Sequence, residues 1–285
     1  MVKRRDILNS PKLTELKRQR RKNVQNKIFY ISTAILFIFI ILMFISRLDK
    51  LRIKNIEISG NKVVDTDNID QIIGDTIEGN YVYVLPKSNF LLFPKEAIIE
   101  NLTTEYSRLK DISFHFENTE SISVSLKERD GKYIWCGDIL SIESTAENNP
   151  CSFMDESGYV FDIAPFFSGN VYFRFFGVLN NKNYAPDLWV KIVTLKESVS
   201  NMGLKPVALY LKDDEDVTVY LQSSSVLTEA PEIRFKQDFI LEKTVENLQA
   251  AITTEPLISD LKNKNKTLDY IDLRFGNKVY FKFRP

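Results

Sequence analysis

The sequence predicts an α+β protein carried on one N-terminal transmembrane helix. Three observations point there. Residues 28–45 read IFYISTAILFIFIILMFI, 18 residues without a charge. Residues 51–129 alternate strand-like and helix-like patterns in the order β-α-α-β-β. From residue 130 onward short alternating runs dominate and end in a hairpin, the mark of a mainly antiparallel β domain with flanking helices.

The apolar run, as a helix, spans about 27 Å, close to the hydrocarbon thickness of a bilayer. Only a helix satisfies its own backbone in lipid, and this run is apolar on every face. A cleaved secretory signal would be followed by a small-x-small site. Ser46, Arg47, Leu48 and Asp49 follow instead, which favours a retained anchor. Residues 1–27 carry ten Lys or Arg against Asp6 and Glu15, a net charge of +8. The whole chain balances at 38 basic and 38 acidic residues, so the part after residue 45 carries −8. That asymmetry predicts a basic cytoplasmic tail, a single-pass anchor in the plasma membrane and an extracytoplasmic bulk. Basic tracts also suit nucleic acid, but one abutting a span is explained by anionic lipid headgroups, so no nucleic-acid partner is expected.

After the span, Leu51, Ile53, Ile56 and Ile58 suggest a strand that Gly60-Asn61 ends. Asp65 or Thr66 caps a short helix burying Ile69, Ile72 and Ile73 before Gly74. A second helix begins near Pro94, with Ile98, Ile99 and Leu102 inward. Ile112, Phe114 and Phe116 alternate, then Ile122, Val124 and Leu126, giving two strands. His115, the chain's one histidine, falls on the opposite strand face from Phe114 and Phe116 and reads as a sheet residue.

In the second part, Tyr133 to Cys136 forms a strand, followed by the polar loop ESTAENNP at 143–150 and a strand from Cys151 to Met154. Asp155, Glu156, Ser157 and Gly158 turn the chain into Tyr159–Phe161. Val171 to Val178 reads as a buried strand. Pro186 begins a helix with Leu188, Ile192, Leu195, Val199 and Met202 on one face, ending at Gly203. Strands at Val207–Leu211 and Val217–Leu221 flank the acidic tip Asp213–Asp216. That tip lacks the ligand spacing and central glycine of a calcium loop. Ile233 and Phe235 open another strand, and Asp238 caps a helix with Leu241, Val245, Leu248 and Ile252 inward. Ile271, Leu273 and Phe275, then Val279, Phe281 and Phe283, form the inner rows of a closing hairpin around Gly276-Asn277. Its outward row is Tyr270, Asp272, Arg274, Lys278, Tyr280 and Lys282, which we single out as a partner-binding edge.

Little else carries chemistry. Cys136 and Cys151 are the only cysteines. Outside the cytoplasm they can form a disulfide, but two free thiols remain open, and zinc would need further ligands. No phosphate-cradling glycine loop or HExxH occurs, and neither cysteine has a histidine in its own domain. Asp155 with Glu156 or Asp162 lacks an accompanying groove for glycosidase chemistry. The expectation is a protein that is not an enzyme, with no cofactor, no metal and no small-molecule substrate.

IKNIEISGN at 53–61, VSLKER at 124–129, WCGD at 135–138, FMDESGYVF at 153–161 and YIDLRFGNKVYFK at 270–282 stand in this order behind a basic tail and an anchor. The arrangement resembles the bacterial cell-division family FtsQ/DivIB. Gly60, Glu128, Arg129, Asp155 and Gly158 occupy its motif positions, whereas Arg108-Leu109 and Asp130-Gly131 stand where the family often has prolines. The resemblance implies a tail at 1–27, a span at 28–45, a POTRA domain at 51–129 and a β domain at 130–285. It also implies a non-catalytic scaffold at the division septum, tethering FtsB- and FtsL-like single-pass partners through the last strands. A POTRA-bearing chaperone or transport component is the alternative. An assembly factor of that kind would carry several POTRA repeats and a barrel. A sensor would need a cytoplasmic signalling domain.

Overall fold

The computed structural model describes residues 11–140, 150–212, 215–223, 229–263 and 266–284. Residues 1–10 of the basic tail, all but the last residue of the polar loop, and Asp213 and Asp214 of the acidic tip lie outside them. The chain divides into two compact units, the first ending at Glu128 and the second starting at Arg129.

One helix, α1 (Pro11–Ser46), runs for 36 residues. Its Glu15–Ser46 part is long and apolar enough to cross a membrane, and none of its most apolar window is buried against protein. The expected span began at Ile28, yet residues 11–27 of the basic segment before it are helical too. No proline or glycine follows Pro11 within α1, and Lys, Arg and Gln are good helix formers. An apolar helix beside them supplies the nucleus, so propagation through the tail is favourable.

The first folded unit contains β1 (Asn55–Ser59), α2 (Thr66–Ile77), α3 (Lys95–Glu105), β4 (Leu109–Phe116) and β5 (Ser121–Glu128). Between the helices, β2 (Asn80–Tyr81) and β3 (Leu85–Pro86) pair antiparallel. The main sheet has the order β1-β5-β4, with β1 parallel and β4 antiparallel to β5. Ile69 and Ile73 of α2 and Ile98 and Leu102 of α3 pack with Ile122, Val124 and Leu126 in one core. Each such side chain stabilises the unit by about 1.5–3 kcal/mol. Asp65 caps α2 by accepting from Asp67 N at 3.2 Å. Gly74 does not end that helix, which continues to Ile77. Ile77 packs against the core, and that burial outweighs the roughly 1 kcal/mol a mid-helix glycine costs. The β2–β3 turn is unusual. Val84 N donates to Tyr81 O at 3.0 Å, leaving Val82 and Tyr83 as central residues with φ of 48° and 63°. Left-handed backbone costs an L-residue about 1–2 kcal/mol, so Asn-Gly is the usual choice there.

The second unit is built on a nine-stranded sheet ordered β16-β15-β14-β13-β12-β9-β6-β7-β8. In chain order these are β6 (Tyr133–Trp135), β7 (Ser152–Met154), β8 (Val160–Ile163), β9 (Arg174–Phe176), β12 (Pro206–Leu211), β13 (Asp216–Leu221), β14 (Glu232–Lys236), β15 (Thr267–Phe275) and β16 (Lys278–Arg284). Pairing is mostly antiparallel, with parallel steps at β6–β9, β9–β12 and β14–β15. A small hairpin, β10 (Leu179–Asn180) and β11 (Asn183–Tyr184), pairs within itself and bridges to Tyr159 just before β8. Helices α4 (Trp189–Asn201), α5 (Leu241–Thr253) and α6 (Leu257–Lys262) complete the unit. Ile192, Leu195, Val199 and Leu248 from the helices meet Phe175, Val219, Phe235 and Ile271 of the sheet in the larger core.

Some boundaries differ from those the sequence predicts. The strand expected over Val171–Val178 contracts to Arg174–Phe176, because β12 offers it three partners and β6 only two, and Val171 and Val178 are exposed. The residue capping α5 is Ile240, without a side-chain bond, rather than Asp238. Helix α6 has only six residues, too short for a periodic signal.

Cys136 and Cys151 are joined in a disulfide that closes the β6–β7 connection. Closing a loop of that length confers about 3 kcal/mol in the chain-entropy account. Cys136→Ser is therefore expected to lower the thermal midpoint measurably. Non-reduced peptide mapping should recover the two cysteine peptides as one cross-linked species, whereas two free thiols would contradict it.

Candidate functional site

The terminal hairpin lies at one margin of the nine-stranded sheet. β16 pairs with β15 on one side, and no described strand lies along its other side. The opposite margin, β8, is shorter and meets the β10–β11 hairpin through Val160 N to Lys182 O at 2.8 Å. So β16, with seven residues, offers the longer run of unpaired backbone donors and acceptors. Val279, Phe281 and Phe283 pack against the core, while Lys278, Tyr280 and Lys282 are exposed, an alternation with the strand period of two.

Register sets the six predicted edge residues against one another. Tyr270 stands opposite Lys282, and Asp272 opposite Tyr280. Their environments nevertheless split them into two groups. Lys278, Tyr280 and Lys282 face outward. Tyr270 lies under the Arg234 guanidinium at 4.6 Å, and Asp272 is only 4% exposed. Arg274 grips Asp272 twice, Nε to Oδ1 at 2.9 Å and Nη2 to Oδ2 at 2.6 Å, and its Nη1 reaches Asp216 Oδ2. Lys236 Nζ closes the chain onto Asp216 Oδ1 at 2.6 Å. The network thus crosses β13, β14 and β15, and Arg274 ties the hairpin's first strand to β13. At the far end Asp269 takes Arg284 at 2.7 Å and Lys282 at 3.3 Å.

A β-irregularity between Asp272 and Phe275 changes the hairpin tip. Phe275, expected in the inner row, is instead 55% exposed and meets Tyr280 edge-to-face with ring centroids 5.2 Å apart. The irregularity shifts the alternation of sides, which strict period-two reading cannot register. An exposed aromatic pair beside two lysines is the kind of feature that anchors a protein interface.

The remaining motif residues organise loops. A Cβ on Gly60, whose φ is 96°, would stand 1.9 Å from the Leu126 carbonyl oxygen. Glu128 Oε1 accepts from the backbone N–H groups of Lys62, Val63 and Val64 at 2.7, 2.9 and 2.9 Å. In the second unit Asp155 accepts from Ser157 N, Ser157 Oγ and Tyr159 N, and pairs with Arg129 Nη1 at 2.6 Å. Arg129 also lies 4.0 Å from the centre of the Tyr159 ring. A Cβ on Gly158 would press within 2.8 Å of the Trp189 ring. Asp155 spends its acceptor capacity on this turn. His115 is exposed on β4, and among the described residues no group of three His, Cys, Asp or Glu could hold a metal.

No family model matches the chain, and no curated protein matches it either.

Five carboxylates respond to pH in the same sense, Asp269 chiefly through the hydrogen bond it accepts from Arg284. Burial pushes Asp272, Asp216, Asp155 and Glu128 up, but it is outweighed. Arg274 acts on Asp272, Lys236 and Arg274 on Asp216, Ser157 and Arg129 on Asp155, and backbone N–H groups on Glu128. All five are held below the ordinary carboxylate range. A carboxylate depressed on folding adds stability above its unfolded pKa of about 4, and that stability is lost as pH falls through the lower folded value. Thermal midpoints should therefore change little between about pH 8 and 5 from these groups and fall steeply below about 4. Asp272→Asn should cost about 1.5–3 kcal/mol at neutral pH and flatten the acid limb, measured by circular dichroism.

Proposed function

We propose that the chain is a non-catalytic, single-pass membrane scaffold of the FtsQ/DivIB type. Its first folded unit acts as a POTRA domain, and its second receives a strand from an FtsB-like partner, itself associated with an FtsL-like protein, at the division septum. The observation that carries this reading is the open β16 edge, with Lys278, Tyr280 and Lys282 outward and Phe275 against Tyr280. Main-chain pairing supplies affinity in such strand addition, and the outward side chains choose the partner. Two lysines select an acidic or amphipathic segment. The order β1-α2-α3-β4-β5 and the exposed apolar helix α1 support the same reading. The N-terminus is cytoplasmic, with the basic tail against anionic lipid, and the bulk of the chain is extracytoplasmic.

Binding of the full chain in nanodiscs to FtsB- and FtsL-like segments tests the edge. Tyr280→Ala should weaken binding about 5- to 30-fold, the range of an interface anchor. Tyr280→Pro should weaken it further by removing an N–H from the edge. Lys282→Glu should lower the association rate and its salt dependence. Arg274→Glu is a poorer probe, because it breaks the Asp216–Arg274–Asp272 network inside the sheet. Unchanged affinity in folded Tyr280→Pro would place the interface elsewhere. A reporter active only outside the cytoplasm, fused after Pro285, should be active; an inactive, stably expressed fusion would reverse the topology.

A further inference from the structure

We propose that the Val82–Tyr83 turn, together with Leu91, is a membrane-interface contact that beds into the phospholipid headgroup layer at the C-terminal end of α1. It rests on reading α1 as a membrane span and is independent of the partner that β16 takes.

Three hydrogen bonds place this segment. The buried side chain of Asn89 donates from Nδ2 to Ser46 O, the last residue of α1, at 3.0 Å. Arg47 Nε donates to Val84 O at 3.2 Å. Phe90 N donates to Leu51 O at 3.0 Å. Ser46 and Arg47 mark where the apolar run ends, so Val84 and Asn89 are tied to the level at which the span leaves the hydrocarbon. Tyr83 and Val82 are one and two residues from Val84, hence within about 7 Å of that level. The headgroup layer of one leaflet is itself roughly 5–7 Å deep.

The side chains fit that layer and fit water badly. Val82 is 84% exposed and Tyr83 is 94% exposed. Both occupy left-handed turn positions, at φ of 48° and 63°, where Asn-Gly would relieve strain and be better solvated. Valine and tyrosine at this tip gain by burial in lipid, and tyrosine concentrates at membrane–water boundaries. Leu91 is 74% exposed, and its N–H donates to Oδ1 of the same Asn89 that holds Ser46, at 2.9 Å. Two apolar tips are thereby fastened to one end of the span, with exposed Arg47 and Lys50 beside it to meet phosphate. The contact would brace the first folded unit against the bilayer, where a single helix alone would let it swivel.

The native cysteines are bonded to each other, so one introduced cysteine can carry a nitroxide label on the full chain. Labels at positions 82, 83 and 91, with His115→Cys as the aqueous reference and Leu36→Cys inside the span, would be compared in nanodiscs of phosphatidylcholine and phosphatidylglycerol. Collision with dissolved oxygen reports lipid, and collision with a nickel chelate reports water. The expected result is several-fold lower nickel accessibility at 82, 83 and 91 than at 115, with shallower depth than at 36. Nickel accessibility at 82, 83 and 91 equal to that at 115, with position 36 in lipid, would overturn the contact and leave the span standing. Nickel reaching position 36 would overturn both.

Discussion

The grip of Arg274 on Asp272 and Asp216 is the interaction on which the second unit's useful surface depends. β14 and β15 run parallel, so no tight turn sets their register. Their connection passes through α5 and α6, leaving β15 to find its place by side-chain contacts. The inner row of Leu268, Ile271 and Leu273 fixes which face is buried. Arg274 adds a cross-strand tie: its two bonds to Asp272, in its own strand, aim the guanidinium, and Nη1 then reaches Asp216 of β13. With Lys236 on the same Asp216, three strands share one charge pattern. β16 then follows through a two-residue turn, and its open edge inherits its position from a network one strand inward.

That arrangement separates the charged residues of the hairpin by role. Asp272 and Arg274 lie within the sheet's ion-pair network; Lys278 and Lys282 are exposed beside Tyr280, with Lys282 pairing with Asp269. For the proposed strand addition, this arrangement is favourable. The rigid part lies beneath the exposed residues, so little ordering remains to oppose association.

The first unit shows a comparable economy. Glu128, at the end of β5, draws three consecutive N–H groups of residues 62–64 onto one carboxylate oxygen. That clasp orders the β1–α2 loop, while Gly60 lets it pass against the Leu126 carbonyl. At the other end of the same unit, Asn89 and Arg47 fasten the exit of α1 to the β2–β3 region. Local polar groups thus anchor loops whose apolar content could not hold them.

By itself the sequence determined whatever depends on period and composition. The apolar run of α1, the alternation in β4, β5 and β16, and the helical stripes of α2, α3 and α4 are all legible because burial repeats with the geometry of the element. The same period put six hairpin residues in one outward row, but only Lys278, Tyr280 and Lys282 are exposed; Tyr270 and Arg274 are half-buried and Asp272 is buried. Tertiary structure decided where two elements compete for one residue or lie far apart in the chain. Gly74 stays helical because Ile77 finds a core; Phe275 turns outward because the ladder slips beside it; Arg174–Phe176 is short because β12 pairs with three of its residues and β6 with two. The pairing of Arg274 with Asp216, 58 residues away, leaves no trace in either local pattern. Nor does the bond from Asn89 to Ser46, 43 residues back, which ties an exposed turn to the end of a helix. Periodicity reports which face of an element is apolar; only the folded chain decides what that face, and its polar neighbours, meet.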